Sequence, residues 1–369
     1  MELENTIIDI DSAFLISDIH FGVRSDSVEW LENINDYFIN FFIPLIETKR
    51  SKKSGVFVLG DVFDNRESIN IEVFNTVITI FSKIAKIMPV WIVVGNHDMY
   101  KKVDNQINSL QLLANIPGIT IIDENCILTI KDTKTKCLMM PFTTDDNEAS
   151  LILSESDTDF AFLHSNLAGL KYDNGRNIIT GVQTKAYKGA RIFSGHIHKR
   201  QESGKITYIG SPYHTKRSDI GNQKGIYKLD FVKDKQIFYE NTYSPIFQKF
   251  DINTLLEKTY AEVIELFRNN YTDILINKNK ANYINIAKVL NILQPAEFKR
   301  IEFLTVDNNE GEYDTQMFMN DNTETISIDD AITLKYEEMS LTPEKIKELN
   351  ELNDYYNKLV YNQTEKIEL

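Results

Sequence analysis

Cysteine and long apolar runs are both scarce in this chain. Of its 369 residues only Cys126 and Cys137 are cysteines, and neither lies in a C-x-x-C pair or near a histidine. This argues against a disulfide scaffold or a cysteine-ligated metal, so both thiols are expected to be reduced. No uncharged stretch approaches the roughly 20 apolar residues of a transmembrane helix, and the N-terminus has no basic segment. We therefore expect a cytoplasmic protein with no membrane association.

Histidine is also rare, and its distribution is informative. The chain has six histidines, and five of them lie in polar blocks that follow short Val-, Ile-, Leu- and Phe-rich runs. Such runs are typical of buried strands, so each block is predicted at the carboxyl end of a strand, where open α/β sheets hold their ligands. The blocks are Ser17-Asp18-Ile19-His20, Gly60-Asp61-Val62-Phe63-Asp64, Gly95-Asn96-His97-Asp98, His164-Ser165-Asn166 and Gly195-His196-Ile197-His198.

The five blocks together predict a two-metal phosphoesterase site. A single Asp-x-His after a strand is more often a turn with a satisfied histidine. Five blocks in series supply the nitrogen and oxygen ligands and the bridging carboxylate that a pair of metals requires. Asp61, which follows a glycine, is the predicted bridge. By spacing and ligand type, Asp18, His20 and His198 would join Asp61 as ligands of one metal. Asn96, His164 and His196 would be the remaining ligands of the other metal. A water or hydroxide between the ions would be the nucleophile.

The net charge of −14 at first argues against a nucleic-acid substrate, but its distribution weakens that argument. From 310 to 369 there are 15 acidic and 5 basic residues, a net of −10, which leaves −14 + 10 = −4 for residues 1–309. Between Lys185 and Arg217 eight basic residues face one acid, Glu202, and this run surrounds the block at 195–198. A phosphate-rich substrate is one interpretation, and a solvated loop with an ordinary surplus of lysine is the other.

The order of the predicted elements indicates an α/β fold. Helices are predicted at 27–48 and 69–87 between the first three motif strands, and the later part of the chain is richer in strands, which together suit a four-layer α/β/β/α sandwich. We expect a catalytic domain at 1–245, a small α/β capping domain at 246–309, an acidic linker at 310–325 and a helical tail at 326–369. The capping domain is expected to begin with one helix from Asn253 or Thr254 to Phe267, followed by strands at 274–276 and 300–306 and a helix at 283–293.

These blocks resemble the signature of the calcineurin-like metallophosphoesterase superfamily: D-x-H, G-D-x-x-D, G-N-H-D/E, H and G-H-x-H, complete and in order. Within it the chain looks most like the SbcD-type nucleases, the family of the meiotic recombination eleven DNA-repair nuclease, in a phage-like version. The D-x-H-x-G opening at 18–22, the G-D-x-F-x-x-R run at 60–66 and the unit and helix pair after the catalytic domain carry this resemblance.

The resemblance implies a DNA exonuclease, and also an endonuclease, that uses two Mn²⁺ ions, with Mg²⁺ as an alternative, in double-strand break repair or recombination. It implies an SMC-like SbcC-type ATPase partner on the C-terminal helices, a homodimer within that complex, and the host cytoplasm if the protein is viral. A protein phosphatase or cyclic-nucleotide phosphodiesterase is the runner-up. An inactive scaffold subunit is disfavoured because every ligand position is filled.

Carried over residue by residue, the resemblance assigns roles within the blocks. Asp18, His20, Asp61, Asn96, His164, His196 and His198 match metal ligands, and His97 matches the catalytic histidine that acts on the scissile phosphate or leaving oxygen. Asp64 departs from the pattern, because many cellular nucleases have a histidine there. We predict that its carboxylate hydrogen-bonds the His97 imidazole; the alternative is a helix cap.

Outside the ligand set, the predicted substrate-binding residues are Arg66, Lys199 and Arg200. His214 lies beyond the signature. It could line a phosphate groove or simply occupy a turn, so it is given no role.

Overall fold

The computed structural model describes residues 3–100, 105–277, 289 and 299–306. The chain divides into two compact units, Met1–Gln248 and Lys249–Leu369. Within the described residues, no helix is both long and apolar enough to cross a membrane. The strands, in chain order, are β1 (Glu4–Ile8), β2 (Ser12–Ile16), β3 (Ser54–Leu59), β4 (Val90–Val93), β5 (Ile119–Ile122), β6 (Cys126–Ile130), β7 (Lys136–Met140), β8 (Phe160–His164), β9 (Arg191–Gly195), β10 (Gln201–Ser203), β11 (Ile206–Tyr208), β12 (Gly225–Asp230), β13 (Lys235–Glu240), β14 (Phe247–Asp251), β15 (Tyr271–Asn277) and β16 (Arg300–Val306).

The first unit is built on two sheets. One has six strands in the order β13-β12-β2-β3-β4-β5, and the other has seven in the order β1-β6-β7-β8-β9-β11-β10. β2, β3, β4 and β5 pair in parallel, as do β7, β8 and β9. Parallel strands point their carboxyl ends at one edge, so the polar blocks after β2, β3, β4, β8 and β9 gather there.

Helices cover the outer faces of the two sheets. The helical segments of the first unit are α1 (Val23–Asp26), α2 (Val28–Tyr37), a π-helical stretch (Phe38–Phe42), α3 (Ile43–Lys49), α4 (Ile71–Ile87), α5 (Asp146–Glu155) and 3₁₀ turns at Ser109–Leu112 and Arg217–Asp219. The side chain of Asn70 caps α4 by accepting from the Glu72 amide. The apolar stripe of α4, at helical spacing, is buried at Val73, Val77, Ile80 and Ile84.

Three apolar clusters show the layers. One joins the helices α2 and α4 to the outer face of the six-stranded sheet, for example through Leu31 and Phe81. A second lies between the sheets, where Phe57 and Phe162 contact each other at a ring distance of 5.1 Å. The third packs α5, including Leu153, on the seven-stranded sheet. The predicted four-layer α/β/β/α class is therefore confirmed.

The second unit is a small α/β arrangement. Its described helices are α6 (Ile252–Leu256) and α7 (Tyr260–Phe267), and the three-stranded sheet has the order β14-β15-β16, with β15 and β16 parallel. The two predicted strands of this unit are confirmed. The single helix predicted up to Phe267 is wrong, because the chain breaks and Thr259 starts a new helix through a capping box with Glu262. The predicted helix at 283–293, the linker and the tail helices lie outside the described residues, apart from Val289.

Candidate metal centre

The predicted ligands come together at the shared strand edge. Asp18 and His20 follow β2, Asp61 follows β3, and Asn96 follows β4 on the first sheet; His164 ends β8, and His196 and His198 follow β9 on the second. Three groups have ligand atoms within 4.8 Å of one another: Asp18 with His20 and His198, Asp61 with His164 and His196, and His20 with Asp64 and His97. The first two, which form the first and the second ligand group, are the sets that the spacing predicts, with Asn96 to be added to the second.

The first group is tight, with Asp18 and His20 buried and His198 half-buried. Nε2 of His20 lies 2.9 Å from Nε2 of His198, and that nitrogen lies 3.8 Å from Oδ1 of Asp18. Oδ1 of Asp18 accepts a hydrogen bond from the His196 amide, whereas Oδ2 is buried with no hydrogen-bond partner among the described residues. Two ring nitrogens this close need a proton or a cation between them, and an unpartnered buried carboxylate oxygen is costly. A metal ion would satisfy both requirements.

In the second group Asn96 lies between the two histidines. Its Oδ1 lies 3.0 Å from Nε2 of His164 and 2.6 Å from Nδ1 of His196. Nδ1 of His164 lies 2.6 Å from the carbonyl oxygen of Leu59, an arrangement in which Nδ1–H donates to the carbonyl. Although burial lowers it, the Asp61 carboxylate raises the pKa of His164 to about 9, so a metal would have to displace the Nε2 proton. The Leu59 contact then leaves the lone pair of Nε2 directed at the group, as in metal-binding histidines.

Asp61 stands between the two groups. Its Oδ2 lies 3.3 Å from Nε2 of His164 and 3.6 Å from Nε2 of His20. Its Oδ1 accepts a hydrogen bond of 2.8 Å from the amide of His97. The carboxylate thus faces both groups at once, which is the placement that a shared ligand between two cations requires.

The electrostatics of the two groups suit cations. Burial raises the pKa of Asp18 to about 6, with the neighbouring Asp61 adding to the shift. Burial lowers the pKa of His196 to about 3 and that of His198 well below its ordinary value. The two imidazoles are therefore neutral at neutral pH and able to coordinate, and a cation would offset the cost of burying the carboxylate. Carboxylate, amide and imidazole donors together fit divalent metals such as Mn²⁺.

The loops that carry these ligands are strained. Asp18, His20, Asp61 and His196 all have left-handed backbone conformations, with φ between 53° and 83°. Such conformations cost non-glycine residues about 1–3 kcal/mol each and persist only where the surroundings impose them. Strain of this kind is concentrated at functional sites.

Asp98 supplies the restraint at Asp61, a role that the sequence pattern does not indicate. Its fully buried carboxylate accepts hydrogen bonds of 2.9–3.2 Å from the amides of Asp61, Val62, Phe63 and Gly95. The loops after β3 and β4 are thereby joined. Gly95 allows their close approach, because a Cβ at that position would lie 2.3 Å from the Asp61 amide nitrogen.

Asp64 contacts a different histidine from the one predicted. Its Oδ1 lies 3.0 Å from Nδ1 of His20, and the His97 ring instead places Nδ1 2.7 Å from the main-chain carbonyl of Asp64. The predicted bond between the Asp64 carboxylate and the His97 imidazole is therefore wrong. The helix-cap alternative is wrong as well, since Asn70 caps the helix that follows.

The three predicted substrate-binding residues have different surroundings. Arg66 lines a groove of about 450 Å³ together with His97. Arg200 is held by Tyr227, Gln223 and Glu202 at 2.9–3.2 Å and stacks on a phenylalanine ring, so its guanidinium would have to leave these partners to reach a substrate.

The charge of the basic run between 185 and 217 is partly offset. Lys216 pairs with Asp173 at 2.6 Å, and Arg191 pairs with Asp234 at 3.1 Å. Lys199 is exposed, and its ammonium forms no ion pair with any of the described residues. The phosphate-binding interpretation of this run therefore rests mainly on its remaining lysines.

His214 belongs to neither metal-ligand group. It is buried, its Nδ1 accepts a hydrogen bond of 3.2 Å from the Phe247 amide, and burial lowers its pKa to about 4. Of its two interpretations, the turn residue agrees better with these contacts.

The fold and the site together define a metal-dependent hydrolase. The sequence pattern of the calcineurin-like phosphoesterase family matches residues 13–200, and the chain belongs to this family. Divalent metals serve the chemistry of the family, and the matched range includes every predicted ligand.

Two viral proteins are similar to the chain. Exonuclease subunit 1 of Enterobacteria phage T4 is 27% identical over 238 residues, which cover 61% of this chain and 66% of that protein. A protein named as a phosphoesterase in Invertebrate iridescent virus 3 is 25% identical over 227 residues, covering 57% of this chain and 59% of that protein. The chain thus spans less than two thirds of the length of either relative. The resemblance to a phage nuclease subunit is confirmed at this level.

A solved structure of a protein of unknown function from Aquifex aeolicus is 17% identical and covers 52% of this chain and 82% of that one. Its TM-score of 0.26 is too low to carry any argument.

Proposed function

We propose that this chain is a metal-dependent DNA nuclease that hydrolyses phosphodiester bonds as an exonuclease and as an endonuclease. The observation that carries the proposal is the Asp61 carboxylate, which faces His20 of one ligand group and His164 of the other, with His97 on the same loop as Asn96. This arrangement suits phosphoester hydrolysis in general. The similarity to a phage exonuclease subunit favours DNA as the substrate.

The proposed ligands are Asp18, His20, Asp61 and His198 for one cation and Asp61, Asn96, His164 and His196 for the other. When bound, two Mn²⁺ or Mg²⁺ ions would supply an activated water and stabilise the charge of the transition state. The chain's own part is to hold the ligands: Leu59 orients His164, and Asp98 fixes the loop of Asp61.

His97 is the proposed acid that acts on the leaving oxygen. Its Nδ1–H donates to the carbonyl of Asp64, so Nε2 is the nitrogen that exchanges a proton. Burial lowers the pKa of His97, and the ring must take up a proton at Nε2 before it can donate that proton to the leaving oxygen. The amide of His97 donates to Asp61, which ties the acid to the proposed bridging ligand. Arg66, in the groove beside His97, is proposed to contact the substrate backbone, as are Lys199 and, if it is released, Arg200.

The biological setting is also part of the proposal. We assign residues 1–245 to catalysis, 246–309 to a DNA-facing cap, 310–325 to a linker and 326–369 to binding of an SbcC-type ATPase. A homodimer in a cytoplasmic repair or recombination complex, in the host cytoplasm if the protein is viral, completes the assignment. The word subunit in the name of the T4 relative supports a multi-chain nuclease.

The test is a cleavage assay on linear and hairpin-ended duplexes with Mn²⁺, with Mg²⁺ and with a chelator, with and without a candidate ATPase subunit. p-Nitrophenyl phosphate, a cyclic nucleotide and a phosphopeptide serve as competing substrates. We expect Mn²⁺-dependent DNA cleavage, and none by Asp61→Ala. Turnover of the phosphopeptide or the cyclic nucleotide but not of DNA would overturn the proposal in favour of a phosphatase or a cyclic-nucleotide phosphodiesterase.

A further inference from the structure

A buried ion pair lies behind the loops of the metal centre. The ammonium of Lys224 and the carboxylate of Asp219 are 2.6 Å apart, and their side chains are only 1% and 2% exposed. Neither residue belongs to the five sequence blocks. A buried pair is a weak source of stability, since the cost of removing two charges from water offsets their attraction. What the pair holds in place is therefore the more informative question.

Lys224 holds the main chain of a proposed metal ligand. Its Nζ donates to the carbonyl oxygen of His198 at 2.6 Å and to Oγ of Ser211 at 2.9 Å. Together with Asp219, these acceptors use all three N–H groups of the ammonium. The amide of Ser211 donates to the same carbonyl at 3.1 Å. The backbone that carries the His198 ring is thus fixed by two donors, one of them charged.

Asp219 organises the segment that reaches the other ligands of the same group. Its Oδ2 accepts from the amides of Thr215 and Lys216 at 2.8 and 3.1 Å. Two residues earlier in that segment, the buried Tyr213 donates its hydroxyl to the carbonyl of Ile19 at 2.6 Å. Ile19 lies between Asp18 and His20, so one polar network runs from His198 through the ion pair to the loop with the other two ligands.

We propose that Asp219 and Lys224 are positioning residues for the metal site that Asp18, His20 and His198 form with Asp61. They bind neither metal nor substrate, and they act by holding two loops from different sheets in register. The inference rests on the proposed metal-dependent function. Residues that orient ligands in this way contribute about 10- to 100-fold to metal affinity.

The test is Mn²⁺ binding to the metal-free full chain, measured by isothermal titration calorimetry. Lys224→Met keeps the length of the side chain and removes the charge. We expect one of the two Mn²⁺ ions to bind about 10- to 100-fold more weakly and the other to be nearly unaffected. Cleavage should recover at high Mn²⁺. A purely structural role would lower the thermal midpoint of the metal-free protein without changing Mn²⁺ affinity.

Two further variants test the pair as a unit. Asp219→Asn should weaken Mn²⁺ binding at the same site. The loss of Mn²⁺ binding free energy in the double variant should be smaller than the sum of the losses in the two single variants, because the residues share one network. The matched control is Lys205→Met, since Lys205 also donates to a main-chain carbonyl, that of Tyr187, in another part of the unit. It should leave both Mn²⁺ affinities unchanged.

The outcomes separate this inference from the proposed function. Wild-type affinity at both sites in Lys224→Met and Asp219→Asn would overturn the inference, whatever the cleavage assay shows. A wild-type chain that binds two Mn²⁺ ions without cleaving DNA would overturn the nuclease proposal alone. If the two charge-removing variants do not fold, Ser211→Ala removes one acceptor of Lys224 while the buried Lys224–Asp219 pair stays intact. Unchanged Mn²⁺ affinity in that variant would overturn the inference.

Discussion

The Asp64 carboxylate lies 3.0 Å from Nδ1 of His20, while Nε2 of the same ring faces His198. Asp64 is therefore placed to orient a proposed metal ligand through its side chain and the proposed acid His97 through its main-chain carbonyl. These two effects can be separated by mutation, because substitution of the side chain leaves the carbonyl in place.

Asp64→Asn is expected to weaken Mn²⁺ binding by about 10- to 100-fold, since it removes the negative charge beside the His20 ring. At saturating Mn²⁺ the rate should approach that of the wild type, because the His97 contact is with the main chain. Calorimetric Mn²⁺ binding and cleavage at two Mn²⁺ concentrations measure both effects. Unchanged Mn²⁺ affinity combined with a lower saturated rate would instead place the carboxylate on the substrate or on His97.

His97→Ala is expected to lower the cleavage rate by about 10²- to 10⁴-fold and to leave Mn²⁺ stoichiometry unchanged, because the ring is proposed to transfer a proton rather than to bind metal. Asp61→Ala should instead lose bound metal, and with it the rate. Metal content by elemental analysis, alongside single-turnover rates, distinguishes the variants. A His97→Ala chain without metal would contradict the assigned role.

Asp98→Asn is expected to destabilise the first unit by about 2–4 kcal/mol, because an amide group would replace an oxygen that accepts from two buried amides. The free energy of urea unfolding measures this. Asp145→Asn is the control: Asp145 accepts two amides at the exposed start of α5, where asparagine caps equally well. If both variants lost a similar free energy of unfolding, burial of the Asp98 carboxylate would not account for the loss.

The strands and ligand blocks were predictable because their signals are local. Each block ends an apolar run, and six of the seven ligand positions are histidine or a charged carboxylate, types that are seldom buried without a reason. The contacts of Asp64, Asp98 and Lys224 were not predictable, because they join segments that are distant in sequence or depend on main-chain atoms. The break before Thr259 has a sequence signal, the Thr-x-x-Glu pattern of a helix start. The apolar residues, however, continue at helical spacing across the break, and this spacing predicts one uninterrupted helix.

His214 gives a prediction about pH. Burial lowers its pKa to about 4, whereas an unfolded histidine has a pKa of about 6.5, so between these values the unfolded chain binds more protons than the folded chain. The stability of the first unit should therefore fall as pH decreases from about 6.5 to about 4, by up to about 1.4 kcal/mol per pH unit from this residue. His214→Asn retains an acceptor for the Phe247 amide but cannot titrate, and it should flatten this part of the profile. Urea midpoints at several pH values check the slope. An equal slope in the wild type and the variant would show that His214 does not contribute to the acid sensitivity.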